Sequence, residues 1–227
     1  MVALVVAATA PEMPLPSRRP SVGGIGRLIT RRDVLLPSLL SAVAQYVNWT
    51  STFGFLPILA KNLNASDVVV STLVSLNVFL GLMGNLTATT LVRRMGARRL
   101  SYLSFVLLSA GLGGSAIARS LPLLIASQAA IGLGTGIAYP VLMGLSIRNV
   151  VETERTTAMG LHQSVYAAGM FLGPWLSGMM AAAIMQLGAT GPGMSVRITF
   201  AITAVACLVL GMLGTWLMAE QMRKTGE

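Results

Sequence analysis

Charge is what this chain lacks most. Asp, Glu, Lys and Arg make up 10% of its 227 residues, against roughly 25% in an ordinary soluble domain, while hydrophobic residues make up 54%. That balance excludes a soluble enzyme. Acids are scarcer than bases, seven against sixteen, and neither lies inside the six longest apolar runs. The single cysteine, Cys207, excludes an internal disulfide and any multi-cysteine metal site. The single histidine is His162. No paired carboxylates, Ser-His-Asp set or His/Cys cluster can be assembled within the apolar runs, so the sequence argues against an enzyme and implies neither a metal nor another cofactor.

What is present is apolar and long. Uncharged runs occupy 34–60, 68–92, 100–118, 121–147, 157–185 and 198–219, and a spanning helix needs roughly 20 such residues. A central Asp, Lys or Arg costs about 2.5–3.5 kcal/mol on insertion scales, so charge-free runs of this length point to the bilayer. They lack the two-residue alternation of barrel strands. The expected fold is therefore an all-α membrane protein of six transmembrane helices. Ser66, Ser120 and Thr156 stand where they can cap helix starts, and Pro122 where a missing N–H does no harm.

Lys and Arg set the orientation when alternate loops are assigned to alternate sides. Arg18, Arg19, Arg27, Arg31, Arg32, Arg93, Arg94, Arg98, Arg99, Arg148, Arg155, Arg223 and Lys224 fall on one side, and only Lys61, Arg119 and Arg197 on the other. Both termini are expected in the cytoplasm, in a cell inner membrane. The formal charge of +9 is then a topology signal and calls for no nucleic acid. Residues 1–33 read as the end of a preceding helix at 2–10 followed by a Pro- and Arg-rich cytoplasmic loop, with 24–30 lying on the membrane surface. Residues 34–219 form the six-helix unit, and 220–227 a cytoplasmic tail.

Three residue patterns stand out. Arg93-Arg94-Met95-Gly96-Ala97-Arg98-Arg99 is a short basic turn around a glycine. In the fourth run Gln128 precedes Gly132, Gly134, Gly136, Tyr139 and Pro140, and the fifth carries Gly160, His162, Gln163, Tyr166, Gly169, Gly173, Pro174 and Gly178. The pairs Gly132/Gly136 and Gly169/Gly173 allow helix backbones to approach closely in lipid, and Pro174 bends its helix. Together these patterns resemble the carboxy-terminal six helices of a major facilitator superfamily transporter. The 160–178 segment resembles the glycine-proline signature of that family's drug and metabolite efflux antiporters. The resemblance covers essentially the whole chain and implies two inverted three-helix repeats, 34–118 and 121–219, making half of the family's fold. Arg93 and Thr89 stand where the family's first half usually has an aspartate and a glycine, and Gln128 where it has an arginine. These departures point to a second half, and leave proton coupling to a partner or to His162.

Polar residues inside spans must find a partner or line water. Gln45, Asn48 and Trp49 fall within one turn of the first span, with Phe53 continuing that face; Asn77 and Asn85 share a side of the second. Gln128 and Tyr139 share a stripe on the fourth span, as do His162, Tyr166 and Met170 on the fifth, with Gln163 beside them. The resemblance implies that these four spans line a substrate cavity and that the third and sixth face lipid. The plainer alternative for each amide is an interhelical hydrogen bond. His162, with an ordinary pKa of about 6.5, suits a proton relay. On the cytoplasmic face Arg93, Arg94 or Arg98 is expected to pair with Glu152 or Glu154 as a latch. The expected function is a secondary transporter, or half of one, moving small organic solutes or drugs by alternating access. The alternative is a non-transporting membrane subunit or an inactive truncated relative. Amides left facing hydrocarbon and the missing carboxylates predict a partner within the lipid, either a second six-helix half or a homodimer.

Overall fold

The structure is a computed structural model describing residues 22–188 and 191–224. The helix end expected at 2–10, Arg18 and Arg19, and the last three residues of the tail lie outside the described residues. Within them the regular structure is helical: α1 Val22–Thr30, α2 Arg32–Asn48, a π-helical segment Trp49–Phe55, α3 Leu56–Lys61, α4 Asp67–Met95, α5 Ala97–Ile117, α6 Leu121–Ile147, α7 Glu152–Gln186 and α8 Pro192–Lys224. In lipid the backbone must satisfy its own hydrogen bonds, which is why apolar runs of this length become helices. Helices α4 to α8 are each long and apolar enough to cross a membrane, and α2, the π segment and α3 together make the first span.

Helix starts follow the local chemistry only in part. Ser66 caps α4, its hydroxyl accepting from the Val69 N–H. Ser120 holds the cap position of α6 without a side-chain hydrogen bond. Thr156 lies inside α7, which begins four residues earlier behind Val151. Glu152 and Glu154 in that first turn favour the early start, because carboxylates stabilise the positive end of a helix dipole.

The π segment is what the hydropathy pattern conceals. Pro57 has no N–H and its ring crowds the carbonyl four residues back, so a regular ladder cannot run through 53–57. The chain widens instead, and the Leu56 N–H bonds to the Ser51 carbonyl five residues earlier. Widening turns three consecutive hydroxyl residues, Thr50, Ser51 and Thr52, into the protein interior.

Two equivalent glycine seams hold the spans together. On α6, Gly132 and Gly136 sit against the backbone of Asn77 and Gly81 of α4; on α7, Gly169 and Gly173 sit against the backbone of Ala42 and Tyr46 of α2. In each case a Cβ would collide with a carbonyl oxygen, so only glycine permits the approach. Exchanging the first three spans for the last three, in order, converts the α4–α6 contact into α7–α2, and the α5–α6 contact into α8–α2. It maps α5–α8 and α2–α6 onto themselves, and all six contacts are extensive. This is the pattern of two inverted three-helix repeats.

The expectation that the third span faces lipid does not hold within this unit. Half of the apolar window of α5 is buried, against 17% for α4. The physical reason is its small residues: Gly111 and Gly114 let α5 close on Ser127 and Ile131 of α6. At its far end Arg197 of α8 donates to the Ala116 carbonyl at 2.9 Å, a cation on the negative end of a helix.

Candidate functional site

Four spans meet around a cavity of about 360 Å3. Gln45 and Asn48 come from α2 and Phe53 from the π segment; Asn77, Gly81 and Asn85 come from α4; Thr135, Gly136 and Tyr139 come from α6, and Tyr166 from α7. Gln45 and Asn77 are buried, Tyr139 and Tyr166 are half-buried, and Phe53 and Asn85 lie at the exposed side. The described wall holds amides, a threonine hydroxyl, two phenols and the apolar Phe53, Val78 and Leu82, and no Asp, Glu, Lys, Arg or His. Chemically it can exchange hydrogen bonds and present aromatic edges to an occupant, without a counter-charge.

The phenols are held in place. Gln163 Nε2 donates to Tyr139 Oη at 2.6 Å, which leaves the phenol proton free to donate elsewhere. The Tyr139 and Tyr166 rings meet edge to face with centroids 5.3 Å apart, the arrangement their quadrupoles favour.

Beneath the wall lies a hydrogen-bond network centred on Gln128. Its Oε1 accepts from the Thr52 hydroxyl at 2.9 Å, and its Nε2 donates to the Ser51 hydroxyl at 3.0 Å. Its backbone carbonyl accepts from Asn77 Nδ2 at 3.2 Å. Thr52 also stands 3.5 Å from Asn48 Oδ1. Gln128 is fully buried and does not reach the cavity; the interhelical reading holds for it, and it positions two amides that do. Ser51 and Thr52 were not legible as site residues. Their signal was Pro57, which forces the π segment that turns them inward. Beside them, Tyr46 and Thr50 bond the Ser177 hydroxyl of α7 at 2.7 and 3.1 Å.

Trp49 packs against Phe53 beside the cavity, with centroids 4.7 Å apart and planes tilted by 36°. His162 is fully buried between α7 and α2, its Nδ1 3.0 Å from Ser38 Oγ. Ser38 Oγ also lies 2.7 Å from the Val34 carbonyl, and its single proton serves one of these two partners. Nε2 has no partner among the described residues, and His162 is absent from the described cavity wall. Among the described residues no side-chain hydrogen bond links His162 to the cavity wall.

The ion pairs near Glu154 at the Arg-rich face involve residues other than those expected for a latch. Arg27 Nη2 lies 3.6 Å from Glu154 Oε1. Arg31 donates to both oxygens of Asp33, at 3.1 and 2.6 Å, and to the Asn149 carbonyl at 2.9 Å. Leu28 is buried among Val34, Val150 and Ala158. Helix α1 thus joins the start of α2 to the loop before α7. Among the described residues Arg93, Arg94 and Arg98 pair with neither Glu152 nor Glu154, and Arg98 lies over the Tyr102 ring. The reason is topological: the basic turn follows α4, which packs chiefly on α6, while α1 covers the approach to Glu154. The Arg31 guanidinium holds the Asp33 carboxyl below the usual carboxylate range, and Asp33 in turn raises Arg31.

Residues 38–226 match the family model described as Major Facilitator Superfamily. The chain belongs to this superfamily. Its fold is similar to that of a bacterial homolog to the human lysosomal transporter Spinster, crystallised in an inward-facing and unoccupied conformation. The TM-score is 0.67 at 16% identity, over 98% of this chain and 57% of that one. The chain therefore spans little more than half of that relative's length. Among curated proteins no sequence match is found. In this superfamily member the seams at Gly132/Gly136 and Gly169/Gly173 bring together Gln45, Asn48, Asn77, Asn85, Tyr139 and Tyr166 as one wall, with Gln163 reaching it through Tyr139.

Proposed function

We propose that this chain is half of a secondary transporter that holds a small organic solute in the 360 Å3 cavity and moves it by alternating access. A second six-helix half, or a second copy, closes the exposed side. The observation that carries this reading is the composition of the wall, to which both three-helix repeats contribute. Rocking of one repeat against the other reshapes such a cavity. The volume suits a small ligand, and the uncharged amide and phenol lining favours an uncharged or weakly polar occupant, drug or metabolite. A cationic solute would draw its counter-charge from the second half. Efflux by antiport is favoured by the resemblance of 160–178 to the antiporter signature. An inner-membrane location with both termini cytoplasmic is favoured by the thirteen-to-three division of Lys and Arg.

The test is to purify the chain in mild detergent, measure its mass, and assay uptake of uncharged aromatic solutes in liposomes, alone and with a co-expressed amino-terminal half. We expect uptake with the companion half, reduced at least about tenfold by Tyr139→Ala, on the loss of one oriented polar and aromatic contact. A folded assembly that neither binds nor moves any solute would overturn the proposal.

A further inference from the structure

A second concave site lies at the Arg-rich face. Between the ends of α4 and α6, beside the start of α5, a cleft of about 460 Å3 is walled by Val92, Val141 and Leu145, with Pro140 and Gly144 along α6. Arg93 and Thr89 of α4 stand on one side of it and Arg148, just past the end of α6, on the other. No acid is among the described lining residues. The cleft has room, because a Cβ built on Gly144 meets nothing within 4 Å.

Its position along the spans is what gives it chemistry. The uncharged runs end at 92 and 147, so the apolar wall lies at hydrocarbon depth and the two guanidinium groups lie at the membrane boundary. A water-soluble anion makes no use of such a wall, and a neutral lipid makes no use of the arginines. We propose that the cleft binds an anionic glycerophospholipid, with one acyl chain along Val92, Val141 and Leu145 and its phosphate between Arg93 and Arg148. Guanidinium forks match phosphate oxygens, and basic pockets between spanning helices are suited to anionic head groups. Because α4 belongs to the first three-helix repeat and α6 to the second, the lipid bridges the two at this face.

The experiment is native mass spectrometry of the full chain in mild detergent, titrated with phosphatidylglycerol or with phosphatidylcholine of the same acyl chains. One saturable phosphatidylglycerol site is expected, with at least about tenfold preference over phosphatidylcholine. Arg93→Gln should weaken it about fivefold and the Arg93→Gln/Arg148→Gln pair about 25-fold. Gly144→Leu, which keeps every charge but fills the cleft, should also abolish it. Arg94→Gln and Arg99→Gln, on the same face outside the cleft, should change it less than about twofold. Circular dichroism checks each variant, and Arg93→Gln and Gly144→Leu act on different contacts, so misfolding of one leaves the other decisive. Equal losses in the Arg94 and Arg99 variants would show diffuse surface charge. Unchanged binding in Gly144→Leu, or displacement by millimolar inorganic phosphate, would likewise overturn the lipid site.

Discussion

Gln128 and His162 are both buried polar side chains, and their partners set different consequences for losing them. Gln128→Leu removes the closer acceptor of Thr52 and the donor to Ser51, leaving Thr52 only the longer contact to Asn48. A loss of about 1–3 kcal/mol is expected, read by denaturant titration in detergent. For His162→Leu the remaining Ser38 hydroxyl keeps its bond to Val34, and volume is nearly conserved, so the cost should stay below about 1.5 kcal/mol. A larger loss in His162→Leu than in Gln128→Leu would contradict this ranking. Asp33 supplies a pH dependence at the same scale. Its carboxyl is lowered in the folded protein, chiefly by the Arg31 hydrogen bond. Its contribution is present above the unfolded value near 3.9 and is lost as pH falls through the folded one. With a third of the side chain exposed, the effect should not exceed about 1 kcal/mol. Protection from hydrogen exchange at 27–31, relative to the intrinsic rate at each pH, should fall as pH drops below about 4, and Asp33→Asn should show the lower protection already at neutral pH.

Among the elements, the helices are pinned where backbones touch. Gly136→Leu and Gly169→Leu place a side chain against the carbonyls of Gly81 and Ala42, so the helices must part. Overpacking of this kind costs about 1–3 kcal/mol. Gly160, in the interior of α7, has open space where a Cβ would go. Gly160→Ala should therefore stabilise by roughly 0.5–1 kcal/mol through helix propensity alone. Thermal unfolding of the three variants checks the contrast, and similar shifts in all three would refute the seam assignment. The π segment is the other element-scale device, coupling the first span to α6 through Gln128 and to α7 through Ser177.

At the scale of the molecule, several of the span amides already have partners. Asn48, Asn77 and Gln128 do not face hydrocarbon unpaired; they bond one another or hydroxyls inside the unit. Outward apolar faces remain on α8, with Val205, Leu210 and Trp216, as expected of a sixth span in lipid, and on α4, with Phe79, Leu82 and Leu86, and α7, with Phe171, Trp175 and Met179, where lipid or a second half can cover them equally well. The proposed second half would act by completing the cavity at Asn85 and Phe53. Orientation is testable directly. Single cysteines on a Cys207→Ala background should react with an impermeant thiol reagent from outside at positions 64 and 190, and not at 96 and 153. Positions 64 and 96 flank opposite ends of α4, so labelling of both from outside would overturn the orientation.

The amino-acid sequence by itself determined the class, the number and approximate limits of the spans, and the seam glycines. Hydropathy and charge are summed over about 20 neighbouring residues, and the bilayer imposes its thickness on each run separately. It also placed Asn77 with Asn85, and Gln128 with Tyr139, on shared stripes, because helical period alone decides which residues share a face. Only the tertiary structure decided what those stripes meet. Gln128 and Tyr139 share a stripe on α6, yet one is sealed under Thr52 and Ser51 while the other borders the cavity, because the π segment crosses α6 at the first and not at the second. Glu154 met Arg27 instead of the basic turn for the same kind of reason. Which surfaces touch depends on how helices far apart in sequence cross, and no local period encodes that crossing.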